Sequence, residues 1–246
     1  MHRLLASAVA ALLLLLTAVG SALAYRVQPL IVTLRPSGPE ASTKVSIQNT
    51  EAGPITLELT PLRVTVDENG EAVRTDELSD IMVFPPQAII PPGREQVVQL
   101  RYVGEPEIDT ARVYAIRVSQ LPVDMGQGEA TGGARTEIKV GVDFLVHALV
   151  QTEEMDTAVD VAATRTLGDG SIEFDLENDG DAVAVIADVP LFASDANGTR
   201  IALDPASFQT RGFGALFKDG PPRTVAVGAE HLTELSGDVA VTVDKP

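Results

Sequence analysis

The chain has 246 residues, 35 of them Asp or Glu against 18 Lys or Arg, for a formal net charge of −17 at pH 7. So acidic a surface argues against nucleic acid, heparin-like polymers or anionic lipid as partners, since each is held by clustered cations. Cysteine and tryptophan are both absent, so stability must come from core packing without a disulfide framework, and the buried Trp of antibody-type domains has no counterpart.

The N-terminus reads as an export signal. Arg3 supplies a positive start, Leu4 to Val19 is nearly unbroken apolar sequence, and Ala22-Leu23-Ala24 offers the small residues a signal peptidase accepts. Residues 1–24 are therefore expected to be a cleaved signal peptide, leaving a mature chain that begins at Tyr25 and does not insert in a membrane. An exported, cysteine-free, acidic β protein suits a bacterial periplasm.

Short β-branched runs follow at Val27 to Leu34 and Lys44 to Gln48, separated by Pro36, Gly38 and Pro39. Ile55 to Val66 alternates with Ile55, Leu57 and Leu59 on one face, and Pro61 within it predicts a bend or an edge position. Asp67-Glu68-Asn69-Gly70 is a hairpin turn signal, and the acidic stretch Asp76 to Asp80 is expected to be a solvated loop. Ile81 to Phe84, Ile89-Ile90, Glu95 to Val103 and Arg112 to Leu121 continue the pattern. Gln96, Val98, Leu100 and Tyr102 contain the core face of one strand, and Tyr114, Ile116 and Val118 fall on one face of the next.

Thr136 to Val150 is the stretch around which these strands are expected to be organised. From Ile138, its even positions are Ile138, Val140, Val142, Phe144, Val146 and Ala148, all apolar, while the odd positions are polar or small at first and mixed later. A strand from Ile138 to Val150 would run roughly 43 Å, well beyond the usual length. It is expected to outlast its own sheet, with a Gly-rich approach at Gly126 to Gly133. Its first half would then be an apolar edge, hazardous unless a partner covers it.

About seven closely spaced strands in 25–150 match an immunoglobulin-like sandwich. After the polar connector Gln151 to Glu154, a second set is expected at Thr157 to Thr166, Ser171 to Glu177, Ala182 to Val189, Thr199 to Leu203, Arg223 to Val227 and Asp238 to Val243. Turns fall at Gly168 to Gly170, Asn178 to Gly180 and Asn197-Gly198. The predicted fold is all-β: two immunoglobulin-like β-sandwich domains in tandem, 25–150 and a smaller 151–246.

Phe84-Pro85-Pro86, then Ile90-Pro91-Pro92-Gly93 with Gln96 and Arg101, then Tyr114 to Val118 ending at Leu121-Pro122, resembles the first domain of the PapD-like periplasmic pilus chaperones. Val45 to Asn49 is similar to that domain's second strand. The resemblance covers Val27 to Val150 and implies two sandwiches set at an angle. It also implies a client pilus subunit, an incomplete sandwich completed by the chaperone's long strand, and delivery to an outer-membrane usher. On that basis Ile138, Val140, Val142 and Phe144 are the subunit-binding candidates, with Phe144 and Val146 passing into the chain's own core. The family fixes the client's terminal carboxylate between an Arg on the first strand and a Lys on the long one. An ungapped alignment puts Thr33 and Leu145 at those positions, so the nearby cations Arg26, Arg35, Arg117 and Lys139 are the substitutes to consider.

Residues for enzymatic chemistry are scarce. His147 and His231 stand alone, no Gly-x-Ser-x-Gly elbow occurs, and the Asp-rich turns lack the spacing of a calcium loop. No enzyme activity, metal or cofactor is expected. The other reading is a secreted structural or adhesive Ig-like module whose sheets face only themselves or a ligand.

Overall fold

The computed structural model describes residues 25–77, 79–121 and 142–244. The predicted signal peptide, the Gly-rich segment, and Ile138, Lys139 and Val140 lie outside the described residues. Among the described residues no helix is long and apolar enough to cross a membrane.

Ten strands build the first lobe: β1 (Tyr25–Gln28), β2 (Ile31–Leu34), β3 (Ser42–Asn49), β4 (Ile55–Val66), β5 (Ala72–Asp76), β6 (Ile81–Phe84), β7 (Gln87–Ile90), β8 (Glu95–Tyr102), β9 (Arg112–Leu121) and β10 (Phe144–Val150). One sheet runs β1-β3-β8-β6; the other runs β2-β10-β9-β4-β5, with β7 also on β4. Their inner faces enclose a core that includes Tyr25, Val27, Leu34, Ile47, Leu57, Leu100, Tyr114, Ile116, Val146 and Val150.

Prolines decide where the chain changes sheets. The run Val27 to Leu34, expected as one strand, is two strands in opposite sheets with Pro29 between them. The buried positions change parity there, from Tyr25 and Val27 to Val32 and Leu34, because inward means the opposite direction in the facing sheet. The same device recurs at Pro85-Pro86, where buried Ile81 on β6 gives way to buried Ile90 on β7. Pro61 takes the edge position expected, on one side only, while Ile116 of β9 pairs with it on the other. It lies within β4, in the gap between partner strands, since β7 pairs through Glu58 and β5 pairs from Leu62. The Pro61 carbonyl accepts from Glu77 N on that side, so the missing N–H falls where no strand lies alongside. Asp80, expected in a solvated loop, is drawn inward to accept the Tyr114 hydroxyl at 2.6 Å.

The second lobe holds β11 (Val159–Thr166), β12 (Ile172–Asn178), β13 (Ala184–Val185), β14 (Leu191–Asp195), β15 (Arg200–Ala202), β16 (Gln209–Thr210), β17 (Ala215–Leu216), β18 (Arg223–Val227) and β19 (Val239–Val243). A β11-β12-β18-β16 sheet faces a β15-β14-β19 sheet, with a small β13-β17 ribbon. Phe174, Leu176, Leu191, Ala193 and Val225 are among the residues that fill the space between. Ala182 to Val189 does not form the single strand expected: only Ala184–Val185 pairs, and Ile186–Asp188 turns. The strand after it, β14, was hidden by Pro190 and an Ala-Ser-Asp run of low β propensity.

Contact between the lobes is apolar. Leu62, Val64, Val113, Ala115 and Leu149 on the outer face of the larger sheet meet Val183 and Ala215 of the second lobe, flanked by Phe213 and Phe217. Backbone bonds cross the seam from Phe213 N to Gly70 O at 3.1 Å and from Ala111 N to Asp181 O at 2.9 Å. The Asp67 to Gly70 turn therefore docks on the second lobe, where Arg223 is 2% exposed. Gly70 has φ +81°, and a Cβ there would lie 1.5 Å from Arg223 Nη1, so only glycine fits.

Candidate functional site

β10 carries two different faces. Val146, Ala148 and Val150 point into the core, while Leu145 and Leu149 join the interlobe cluster. The ring of His147 lies 5.3 Å from Phe213 of the second lobe. The mixed odd positions in the sequence are thus the face that the second lobe covers.

Pairing along β10 is asymmetric. β9 runs beside all of it, from Phe144↔Val118 to Val150↔Arg112. β2 joins on the other side only from His147↔Ile31 to Val150↔Leu34. His147 N donates to Leu30 O, and a strand's backbone groups alternate in direction, so the N–H and C=O of Leu145 face the same side, beyond the reach of β2. Among the described residues nothing pairs with β10 there.

Tyr25 holds this end of β10 in place. Its hydroxyl lies 2.9 Å from Val118 O and 2.5 Å from Val142 O, and its ring meets Phe144 edge-on with centroids 4.9 Å apart. Burial, and then the nearby Asp143 charge, push the phenol well above its usual value, so it stays protonated and a donor. Phe144 is half-buried against the chain's own core, whereas Val142 is 41% exposed just ahead of the strand. Of the other subunit-binding candidates, Ile138 and Val140 fall outside the described residues.

The candidate anchoring cations are scattered. Arg35 is engaged, with Glu40 at 3.4 Å, Glu153 at 3.1 Å and the Gln151 carbonyl at 3.2 Å, and so staples β2 to the interlobe connector. Arg26 sits opposite Gln48 on the other sheet. Arg117 lies between Leu145 and Thr60 on the outer face of the larger sheet and has no ion pair among the described residues. Lys139 lies outside the described residues. Thr33 and Leu145 are not neighbours across the sheet: Thr33 pairs with Leu149, four residues further on.

Thr33 and Leu149 instead open onto a cleft of about 810 Å³ between the lobes. Val159, Val183, Val185 and Val189 give it apolar walls, Thr33, Gln151 and Thr157 are its neutral polar groups, and Asp188 and Asp244 its charged ones. Gln151 Oε1 is buried with no hydrogen-bond partner. Neither Tyr25 nor Gln151 stood out in the sequence. The signal for Tyr25 lay in composition: the chain has three tyrosines, at 25, 102 and 114, each fully buried with its hydroxyl bonded.

No protein-family model matches the sequence, and no curated protein matches it either. Solved structures do match. The class 5 fimbriae chaperone CfaA aligns at 12% identity and TM-score 0.52, over 90% of this chain and 99% of that one. A chain of the chaperone–tip adhesin complex of CFA/I fimbriae biogenesis aligns at 12% and 0.52, over 90% and 92%. The YadV chaperone aligns at 11% and 0.51, over 90% and 92%. The likeness is one of fold and takes in both lobes, so the two-sandwich architecture implied by the proline motifs is the fold observed.

Proposed function

We propose that this chain is a periplasmic, non-enzymatic chaperone that keeps a pilus subunit folded by lending it a strand until an outer-membrane usher takes it. The observation that carries this reading is the half-paired start of β10: residues 147–150 are flanked on both sides, while among the described residues no strand pairs with the Leu145 edge. An exposed β edge attracts another strand, and addition of a partner strand supplies backbone hydrogen bonds together with pockets for alternate side chains. The fold shared with fimbrial chaperones supports the same reading. The leader at 1–24 accounts for export, and the two lobes divide after Val150.

In this scheme Ile138, Val140 and Val142 are the donated side chains, and Phe144 is where the strand passes into the chain's own core. Each buried donor contributes about 1.5–3 kcal/mol before ordering costs. Arg117, on β9 one strand in from that edge and without an ion pair among the described residues, holds the client's terminal carboxylate in place of the absent Arg and Lys.

Co-expression with a pilus subunit from the same host tests the proposal. The subunit should co-purify with the intact chain, and the double change Val140→Asp and Val142→Asp should abolish capture. Arg117→Ala should weaken it roughly ten-fold or more, the effect of losing one charge-assisted hydrogen bond. Full capture by the double variant would contradict the donated strand.

A further inference from the structure

β9 is longer than the ladder that backs β10. The last pair between them is Phe144↔Val118, yet β9 continues through Ser119, Gln120 and Leu121, which pair with Glu58, Leu57 and Thr56 of β4. Ahead of Phe144, among the described residues, no strand pairs with the incoming chain, since β2 reaches only to Ile31, opposite His147. Support comes instead from the facing sheet. Tyr25, on β1, places its hydroxyl 2.5 Å from Val142 O and 2.9 Å from Val118 O, with its ring edge-on to Phe144. Tyr25 is fully buried, so the hydroxyl stays committed to these two carbonyls.

That contact carries a register. His147 N donates to Leu30 O on the β2 side, so the even-numbered backbone groups of β10 face β9. Tyr25 meets Val142 O from beside Val118 O, on that same β9 side. The chain has therefore kept strand parity two residues beyond its last ladder pair, and Val142 has the phase of Phe144 and Val146. Its neighbour Asp143 is of the opposite kind. A slip of one residue exchanges the two faces, and a carboxylate would then meet the apolar pocket where Val142 belongs, at a heavy desolvation cost.

We propose that Tyr25 is the positioning residue of the donated strand: its hydroxyl carries the register of β10 forward to Val142, so that a partner strand meets Val142, not Asp143, on the face that Phe144 continues into the core. The proposal rests on the chaperone reading for the partner, but not for the register. Tyr25 acts through the Val142 carbonyl, from within the core of its own lobe.

A photo-crosslinking amino acid at position 142 or 143, in cells that also express a pilus subunit from the same host, reads the register. In the natural chain position 142 should give roughly five-fold or more of the subunit adduct from position 143, because adjacent positions face opposite ways. Tyr25→Phe keeps the ring, removes the hydroxyl, and should bring that ratio down to about one. Ile172→Val, in the core of the second lobe, also lowers stability but should leave the ratio unchanged. In the free chain, the amide NMR signals of Phe144, Leu145 and Val146 should be single and sharp in the natural protein and should split or broaden in Tyr25→Phe. They should recover with 4-aminophenylalanine at position 25, whose para amine restores a donor. A ratio near or below one in the natural chain, an unchanged ratio in Tyr25→Phe, an equal fall in Ile172→Val, or signals undisturbed in Tyr25→Phe overturns the proposal. Absence of adducts from both positions in the natural chain, with the free-chain signals behaving as expected, removes the chaperone reading and leaves the register role standing.

Discussion

Tyr25 is a residue whose position matters more than its type suggests. With one hydroxyl it ties the start of β10 to β9, through Val142 O and Val118 O. Tyr25→Phe keeps the ring packing against Phe144 and removes only the hydroxyl. It should cost about 1 kcal/mol and lower the midpoint by a few degrees. Hydrogen exchange at Phe144, Leu145 and Val146 should accelerate more than at Ala148 or Val150; a uniform change would show that the hydroxyl serves only general stability. His147 makes a second prediction. Burial first, and the Arg74 charge second, hold its imidazole below the ordinary value of 6.5, and its Nε2 has no partner. The folded state therefore prefers the neutral ring. No penalty exists above the unfolded value, and stability falls as the pH drops through about 6.5 toward the lower folded value, where the unfolded chain binds the extra proton. Denaturant midpoints at pH 7.5 and 5 should differ by less in His147→Leu than in the natural chain.

At the scale of elements, much was legible and the remainder had identifiable causes. β4 and β9 run as their alternation indicated, Ile55–Val66 and Arg112–Leu121, because both are central strands with a face on the core. The sheet changes at Pro29 and Pro85 were not visible, since alternation within a strand says nothing about which sheet receives it. Leu145, His147 and Leu149 looked like a loss of pattern and are instead a second interface, so burial on both faces mimicked irregularity. The second lobe was read least well because its strands are short and rich in Ala and Asp, which leaves the turn residues to carry the signal. The docking of the β4–β5 turn could not be read either: Asp67 to Gly70 is an ordinary hairpin sequence, and only the fold shows Arg223 buried against it. Gly70→Ala forces a Cβ at φ +81° into the Arg223 guanidinium. It should destabilise the protein by about 2 kcal/mol or more, seen as a lower denaturant midpoint and, in solution scattering, as looser coupling of the lobes. A midpoint within error of the natural chain would show that the turn is not locked there.

The described residues form two sandwiches held by an apolar seam, and among them one strand, β10, is paired on only one side at its start. The seam buries the odd face of β10 and so fixes its last residues, while nothing among the described residues holds the edge at Leu145. Rigid support directly beside an open edge is the arrangement strand donation requires, since the donor must be anchored before a partner can add to it.

The central claim is most directly tested by placing a photo-crosslinking amino acid at Val142, with a control at the comparably exposed Val73 on β5, in cells that also express a pilus subunit. Strand donation predicts a covalent adduct with the subunit from position 142, none from position 73, and loss of the 142 adduct when Leu145→Pro removes the N–H on the open edge. Equal adducts from both positions, or none from 142 while the subunit is present and folded, would contradict it.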